Sequence, residues 1–197
     1  VIITLGGMAL YRGIAFVITK GQTVGPFPEA YTASFGKLPV LGMTLVPTLL
    51  MVGVALAGAF VLSRTVFGRR AFAIGGNEIA AKYAGIPVGR SKIMLFVTMG
   101  GLAGLAAALD VGYFGSGGPD AGKGYELNVI AATVVGGASL SGGRGTALGA
   151  VMGAIVIQLI DNGILLLGIN GAYRDIVIGA AIVAAVVVDQ TKQRVMK

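Results

Sequence analysis

Residues 45–62 read LVPTLLMVGVALAGAFVL, and they lie within 26 consecutive residues, between Lys37 and Arg64, that carry no charge. About 20 predominantly apolar residues in helical form cross the hydrocarbon core of a bilayer. The stretch therefore predicts a transmembrane helix and sets the frame for the rest of the chain. Downstream, IMLFVTMGGLAGLAAAL fills 93–109, and LNVIAATVVGGASL opens another charge-free interval at Leu127; each interval is 17 residues long. Both suffice if the flanking charges snorkel to the interface. TALGAVMGAIVIQLI follows Arg144 and ends before Asp161, and IVIGAAIVAAVVV runs from Ile176 to the residue before Asp189. Upstream, VIITLGGMALYRGIAFVIT at 1–19 is apolar from its first residue but carries Arg12 inside it. The expected fold is all-α, a polytopic membrane helix bundle of about six transmembrane helices. One piece is left over. NGILLLGINGAY at 162–173 is too short to span and is expected as a re-entrant or broken segment against protein or an aqueous cavity. The competing expectation is an extracytoplasmic loop resting on the surface.

Composition points the same way. Of 197 residues 55% are hydrophobic and 34 are Gly, and the mean hydropathy is +0.88. Soluble domains hold about 45–50% apolar residues with Gly already counted. No His and no Cys are present, which removes disulfides, thiolate nucleophiles, imidazole bases and zinc sites built on those ligands. A membrane-embedded hydrolase or transferase is disfavoured for the same reason, and the chain is expected not to be an enzyme and to hold no metal. The net charge of +7 raises the possibility of nucleic-acid binding, which needs a clustered basic face on a soluble domain. Here the basic residues punctuate apolar runs instead.

Their distribution predicts orientation. The connector 64–92 holds six basic residues (Arg64, Arg69, Arg70, Lys82, Arg90, Lys92) against the single acid Glu78. The tail adds Lys192, Arg194 and Lys197, and a Gly-rich turn adds Arg144. Lys20, Lys37, Lys123 and Arg174 fall on the other side with Glu29, Asp110, Asp120, Glu126, Asp161 and Asp175. The connector, the C-terminus and the N-terminal end are expected in the cytoplasm. No signal peptide is visible at the start, and a chain that opens on Val1 in mid-pattern is expected to be a fragment.

Glycines at helical spacing predict close helix packing, the means by which membrane helices associate where lipid supplies no hydrophobic drive. Gly145, Gly149 and Gly153 stand at i, i+4, i+8, and Gly100 with Gly104 repeats the interval. The Gly-rich run GGRGTALG at 142–149 misses the dinucleotide spacing, and Gly122-Lys123-Gly124 lacks the hydroxyl residue of a phosphate loop. ATP hydrolysis by this chain is not expected.

The connector sequence FGRRAFAIGGNEIAAKYAGIPVGRSK, residues 67–92, writes out both ends of a short helix. Asn77 is a good N-cap, Glu78 suits the positive end of the helix dipole, and Lys82 follows at i+4. Gly85 suits the left-handed position after the helix, and Pro87 stops continuation. The helix is expected over 78–84. Its face of Ile79, Tyr83 and Ile86 fits a groove on another protein, or the cytoplasmic ends of its own bundle.

The run GRRAFAIGGNEIAA at 68–81, then Ala84-Gly85-Ile86, resembles the cytoplasmic loop of permease subunits of bacterial ABC importers of the ribose, arabinose and xylose type. TLGGMALYRGIAF (4–16), GYELNVIAATVVGGASLSGGRGTALGA (124–150) and DNGILLLGI (161–169) resemble the same family, so that the likeness covers essentially the whole chain. The resemblance implies a multi-pass permease subunit of the inner membrane with its C-terminus in the cytoplasm. Such a subunit works in a homo- or heterodimer and receives a monosaccharide from an extracytoplasmic sugar-binding protein. It couples passage to a separate ATPase subunit, which binds the ATP, so that no cofactor is held by this chain. The family's coupling loop maps onto Gly75, Gly76, Asn77, Glu78, Ala80, Ala81, Gly85 and Ile86. The resemblance makes 1–197 one transmembrane permease domain lacking N-terminal spans, with a cytoplasmic coupling loop at 64–92.

A secondary transporter of small polar solutes is the alternative. Its coupling ion would call for ionisable residues within the spans, whereas here only Arg12 sits clearly inside an apolar run and the acids are expected at segment ends. A sugar pathway calls for hydroxyl-matching polar groups and aromatic walls. Asn128, Thr133, Gln158 and Asn162 are the candidates, with Tyr113 and Phe114 nearer the mouth, against interhelical hydrogen bonding as the plain role for each polar one.

Overall fold

A computed structural model of the chain describes residues 2–35, 39–40 and 43–168, together with 173, 176–177, 179–181, 183 and 187. Eight helices with defined bounds follow one another, α1 (Ile2–Thr19), α2 (Glu29–Phe35), α3 (Leu45–Arg64), α4 (Val66–Gly76), α5 (Glu78–Tyr83), α6 (Val88–Phe114), α7 (Tyr125–Val135) and α8 (Ala147–Leu166), and the described residues beyond Gly168 are helical as well. Two-residue strands β1 (Pro39–Val40) and β2 (Met43–Thr44) pair antiparallel between α2 and α3, with Pro39 opposite Thr44. The helical expectation therefore holds, apart from this ladder.

Three of the described helices are long and apolar enough to cross a membrane: α3, α6 and α8. None of the apolar window of α3 or α6 is buried, and 11% of that of α8 is. Side chains such as Leu49, Leu56, Phe60, Phe96, Val97 and Met99 stand open to the surroundings. In water such faces would collapse; in hydrocarbon they are at no disadvantage, and every backbone group is satisfied within the helix.

The chain divides into two compact units, one of Val1–Val52 with Val97–Lys123 and one of Gly53–Phe96 with Gly124–Lys197. In the first, the segment after α1 clamps the end of α6. Val24 and Gly117 exchange backbone hydrogen bonds of 2.8 and 3.0 Å, the Phe27 amide donates to the Gly115 carbonyl at 3.0 Å, and the Tyr31 hydroxyl donates to the Ala108 carbonyl at 2.9 Å. The second holds the buried hydrophobic residues Ile74, Ala81, Ala131, Ala132, Val134 and Ile157. All are small or medium aliphatic, as close helix packing requires.

Packing of α7 on α8 is the tightest of these contacts. A Cβ at Gly153 would overlap the Ala132 carbonyl, and one at Gly136 or Gly149 would overlap the other's carbonyl. Gly149 and Gly153 thus form the expected packing face, whereas Gly145 lies before α8 in the preceding turn. Gly100 and Gly104 of α6 are open: nothing lies within 4 Å of where a Cβ on either would stand.

Three boundaries differ from expectation. The interval beginning at Leu127 forms only the 11-residue α7, about 16 Å at helical rise and half a bilayer core. It stops because Gly136 and Gly137 follow, the latter with φ +89°. The break expected at Asp161 does not occur: α8 runs through Asp161 and Asn162 to Leu166, so the first residues of 162–173 extend it, and the helix ends before Gly168 at φ +65°. A carboxylate costs a helix less than about 1 kcal/mol at an interior position, too little to end one. Likewise α6 exceeds 93–109 at both ends, taking in Arg90, Lys92 and Asp110, so Asp110 and Asp161 lie within helices rather than at segment ends. Residues 169–172 of that piece, and 178, 182, 184–186 and 188 of the expected span 176–188, lie outside the described residues.

Candidate functional site

Two features of the second unit carry the sequence candidates. The first is the capped helix α5. Asn77 joins it to α4 with one residue in extended conformation (φ −158°, ψ 101°) that serves both helices. Its amide donates to the Ala73 carbonyl at 3.1 Å, closing α4, while its Oδ1 accepts from the Ala80 amide at 3.0 Å, opening α5. At the other end the Gly85 amide donates to the Lys82 carbonyl at 3.1 Å and the Ile86 amide to the Ala81 carbonyl at 3.0 Å. This paired closure needs a left-handed residue, and Gly85 supplies it at φ +78°. A six-residue helix is marginal alone, so these caps give α5 its definition.

Glu78 meets Lys92 rather than the i+4 residue Lys82. Lys92 Nζ lies 2.7 Å from both carboxylate oxygens, tying the first turn of α5 to the start of α6. With the side chains 54% and 46% exposed, the pair contributes at most about 1 kcal/mol. Ala81 faces inward and is buried, as is Ile74 of α4, whereas Ile79 and Tyr83 are 70% and 88% exposed. Of the carried-over loop residues, Gly76, Asn77, Glu78, Ala80 and Gly85 are exposed, and Gly75 and Ile86 are half-buried.

Gly75 and Gly76 lie against the turn before α8. A Cβ on Gly75 would stand 2.5 Å from the Gly143 nitrogen, one on Gly142 2.6 Å from the Gly75 carbonyl oxygen, and one on Gly143 2.6 Å from the Gly76 Cα. Backbone meets backbone here. The turn is held by the Ser139 amide donating to the Arg144 carbonyl at 3.0 Å and by the Gly142 amide donating to the Ser139 carbonyl at 3.1 Å. It leads directly into Thr146, whose hydroxyl caps α8 by accepting from the Gly149 amide at 3.0 Å.

The second feature is an open cleft of about 310 Å³ between α7 and α8, lined by Tyr125, Asn128, Val129 and Ala132 on one side and Ala154, Ile157, Gln158 and Asp161 on the other. Each set follows helical periodicity, which brings one stripe of each helix to the cleft. Asn128 and Gln158 are therefore brought together. Asn162 stands behind Gln158, accepting from its Nε2 at 3.4 Å, and does not line the cleft. The Thr133 hydroxyl donates back to the Val129 and Ile130 carbonyls of its own helix. Tyr113 and Phe114 belong to the other unit, where their rings meet edge-on at 5.3 Å. Tyr125 and Asp161 are not among the sequence candidates; the i, i+3, i+4, i+7 spacing 125–128–129–132 and 154–157–158–161 is the signal that identifies them. Among the described residues no cluster of acidic side chains could hold a metal ion.

Bilayer-length helices whose apolar faces stand almost wholly open indicate an integral membrane protein, here with a capped surface helix and a cleft of mixed polar and apolar lining between two closely packed helices. The chain belongs to the permease family described as branched-chain amino acid transport system / permease component, which matches residues 1–186. It is similar to the ribose import permease protein of Bacillus subtilis (strain 168), 41% identical over 192 residues, 97% of this chain and 59% of that protein. The ribose import permease protein of Escherichia coli (strain K12) is 40% identical over 195 residues, covering 98% of this chain and 60% of its own. The L-arabinose transport system permease protein of the same strain is 38% identical over 193 residues, covering 98% and 58%. The chain thus spans about three fifths of the length of the curated relatives it matches. No solved structure matches it.

Proposed function

We propose that this chain is part of the permease subunit of an ABC importer that carries a monosaccharide from periplasm to cytoplasm, paired with a second permease subunit and driven by a separate ATPase. The chain forms one multi-pass permease domain in the bacterial inner membrane, with residues 64–92 and the C-terminus in the cytoplasm. A sugar-binding protein delivers the solute outside, and the ATP belongs to the partner subunit.

The observation that carries this reading is α5: a helix too short to persist unaided, capped at both ends, with Ile79 and Tyr83 exposed on one side and Ala81 anchored on the other. An exposed apolar face on a basic segment suits insertion into a groove of an ATPase subunit. The similarity to ribose and arabinose permeases supports a pentose or related sugar. Asn128, Gln158 and Asp161 offer the cleft both donors and acceptors for sugar hydroxyls, and Tyr125 and the aliphatic residues supply its apolar wall.

The test is uptake of labelled ribose or arabinose by the full-length permease reconstituted with its ATPase and binding protein. ATP-dependent uptake lost in Glu78→Arg and Tyr83→Arg, with normal membrane insertion, is the expected result. Undiminished uptake and ATPase co-purification in both variants overturns the docking role. Ala81 is a poor site for this test, because a buried alanine replaced by arginine disturbs packing as well as docking. Asp161 at the cleft gives a secondary transporter a foothold; uptake that ignores ATP and collapses with the proton gradient would favour that reading.

A further inference from the structure

Beside the buried Ala81 and the turn through Gly85 into α6, motion delivered to α5 has two routes into the rest of its unit. One is the Glu78–Lys92 ion pair to α6, made by two flexible, half-exposed side chains. Such a pair accommodates displacement by rotamer change and transmits little force. The other runs through Asn77 into the last turn of α4, where Gly75 and Gly76 abut Gly142 and Gly143 backbone to backbone. No side chain lies between to yield, and close-packed contacts transmit strain rather than absorb it.

Beyond that contact the path stays short. The 139–145 turn is braced by its own backbone hydrogen bonds and leads into the Thr146 cap of α8. The first turns of α8 are in turn locked to α7 by Gly149 and Gly153 against Gly136 and Ala132, and the cleft lies between the same two helices.

We propose that the contact of Gly75–Gly76 with Gly142–Gly143 is the rigid link that carries displacement of α5 to α8 and the cleft, and that Gly75 and Gly142 are positioning residues for transport. The proposal rests on α5 as the ATPase docking helix. It distinguishes residues that bind the ATPase from residues that pass its motion on: Glu78 and Tyr83 belong to the first kind, Gly75 and Gly142 to the second.

Proximity alone does not establish coupling, so the test separates binding from transmission. In the reconstituted full-length permease with its ATPase and binding protein, Gly75→Ala and Gly142→Ala are expected to retain ATPase co-purification while sugar taken up per ATP hydrolysed falls about tenfold. Gly89→Ala, the same change in the same connector at a position open within 4 Å, is expected to stay within about twofold of the parent. Equal coupling ratios in Gly75→Ala, Gly142→Ala and Gly89→Ala overturn the proposal. Should the clashing variants fail to accumulate, amide exchange on the unmodified complex decides. Trapping the ATPase in its closed state is expected to alter exchange at 139–146 together with 77–86, and a change confined to 77–86 overturns the link. The docking reading fails separately, through normal ATPase binding by Glu78→Arg and Tyr83→Arg.

Discussion

Replacing Asn77 by alanine should weaken ATPase binding without unfolding the membrane region, and the structure sets the size of the effect. The substitution removes one hydrogen bond, from the Ala80 amide to the Asn77 side chain at 3.0 Å, in an exposed setting. It leaves the backbone bonds from Asn77 to Ala73 and from Ala81 to Asn77 in place. Loss of such a cap costs about 1 kcal/mol, within a range of about 0.5–2. Applied to a helix of six residues held by its caps, that amounts to roughly a fivefold shift toward the unfolded segment. A ligand that binds only the ordered form loses apparent affinity in the same proportion, so the ATPase dissociation constant should rise by up to about fivefold. Asn77→Asp keeps a side-chain acceptor and adds a negative charge where the dipole favours one; it should bind like the parent. The assay is titration of the ATPase subunit onto full-length permease in nanodiscs, with permease level and thermal stability followed in parallel. Equal affinities for the parent and Asn77→Ala, or equal losses in Asn77→Ala and Asn77→Asp, would show that the cap does not govern docking.

Other expectations are narrower. Gly153→Leu should destabilise the α7–α8 pair by about 1–3 kcal/mol, since its side chain must displace the Ala132 backbone, whereas Gly163→Ala, open within 4 Å, should not lower the melting temperature of the detergent-solubilised protein. Asp161→Asn preserves shape but replaces a hydroxyl-accepting carboxylate at the cleft; it should raise the KM for sugar about tenfold while leaving ATPase binding intact. Lys92→Ala should cost less than about 1 kcal/mol in unfolding experiments, the pair with Glu78 being exposed. A cysteine at Gly89 should resist membrane-impermeant labelling from outside intact cells and react after permeabilisation; labelling from outside would reverse the assigned orientation.

How far the sequence was legible depended on whether the deciding interaction was local. The caps of α5 are local: Asn77, Gly85 and Pro87 act within a few residues, and the helix ends one residue before the expected Ala84, which serves as its C-cap. The span at 45–62 is equally local, because only length and hydropathy matter there. Charge-free length misjudged 127–143, since hydropathy does not register the conformational break at Gly136–Gly137. Charge as a boundary marker misjudged Asp161, which faces a cleft that exists only once α7 and α8 have packed. Lys82 satisfied the i+4 rule, yet Lys92, brought close by the turn after Gly85, holds Glu78. The contact of Gly75 with Gly142 joins residues far apart in the chain, and glycine has no side chain through which a pattern could announce its partner.

The two roles of glycine in this chain follow from the solvent. Hydrocarbon surrounding a helix offers no drive to bury Leu49, Phe60 or Phe96, so their exposure is neutral and contributes nothing to holding the helices together. Association must come from close contact, and close contact requires that side chains be absent where backbones meet. At the α7–α8 crossing this gives a fixed pair, with a cleft wherever the stripe changes from Gly149 and Gly153 to Gln158 and Asp161. At the end of α4 it gives a joint that cannot lengthen or soften by rotamer change. If Gly75 and Gly142 pass motion on as proposed, substitution at either should affect transport before it affects insertion.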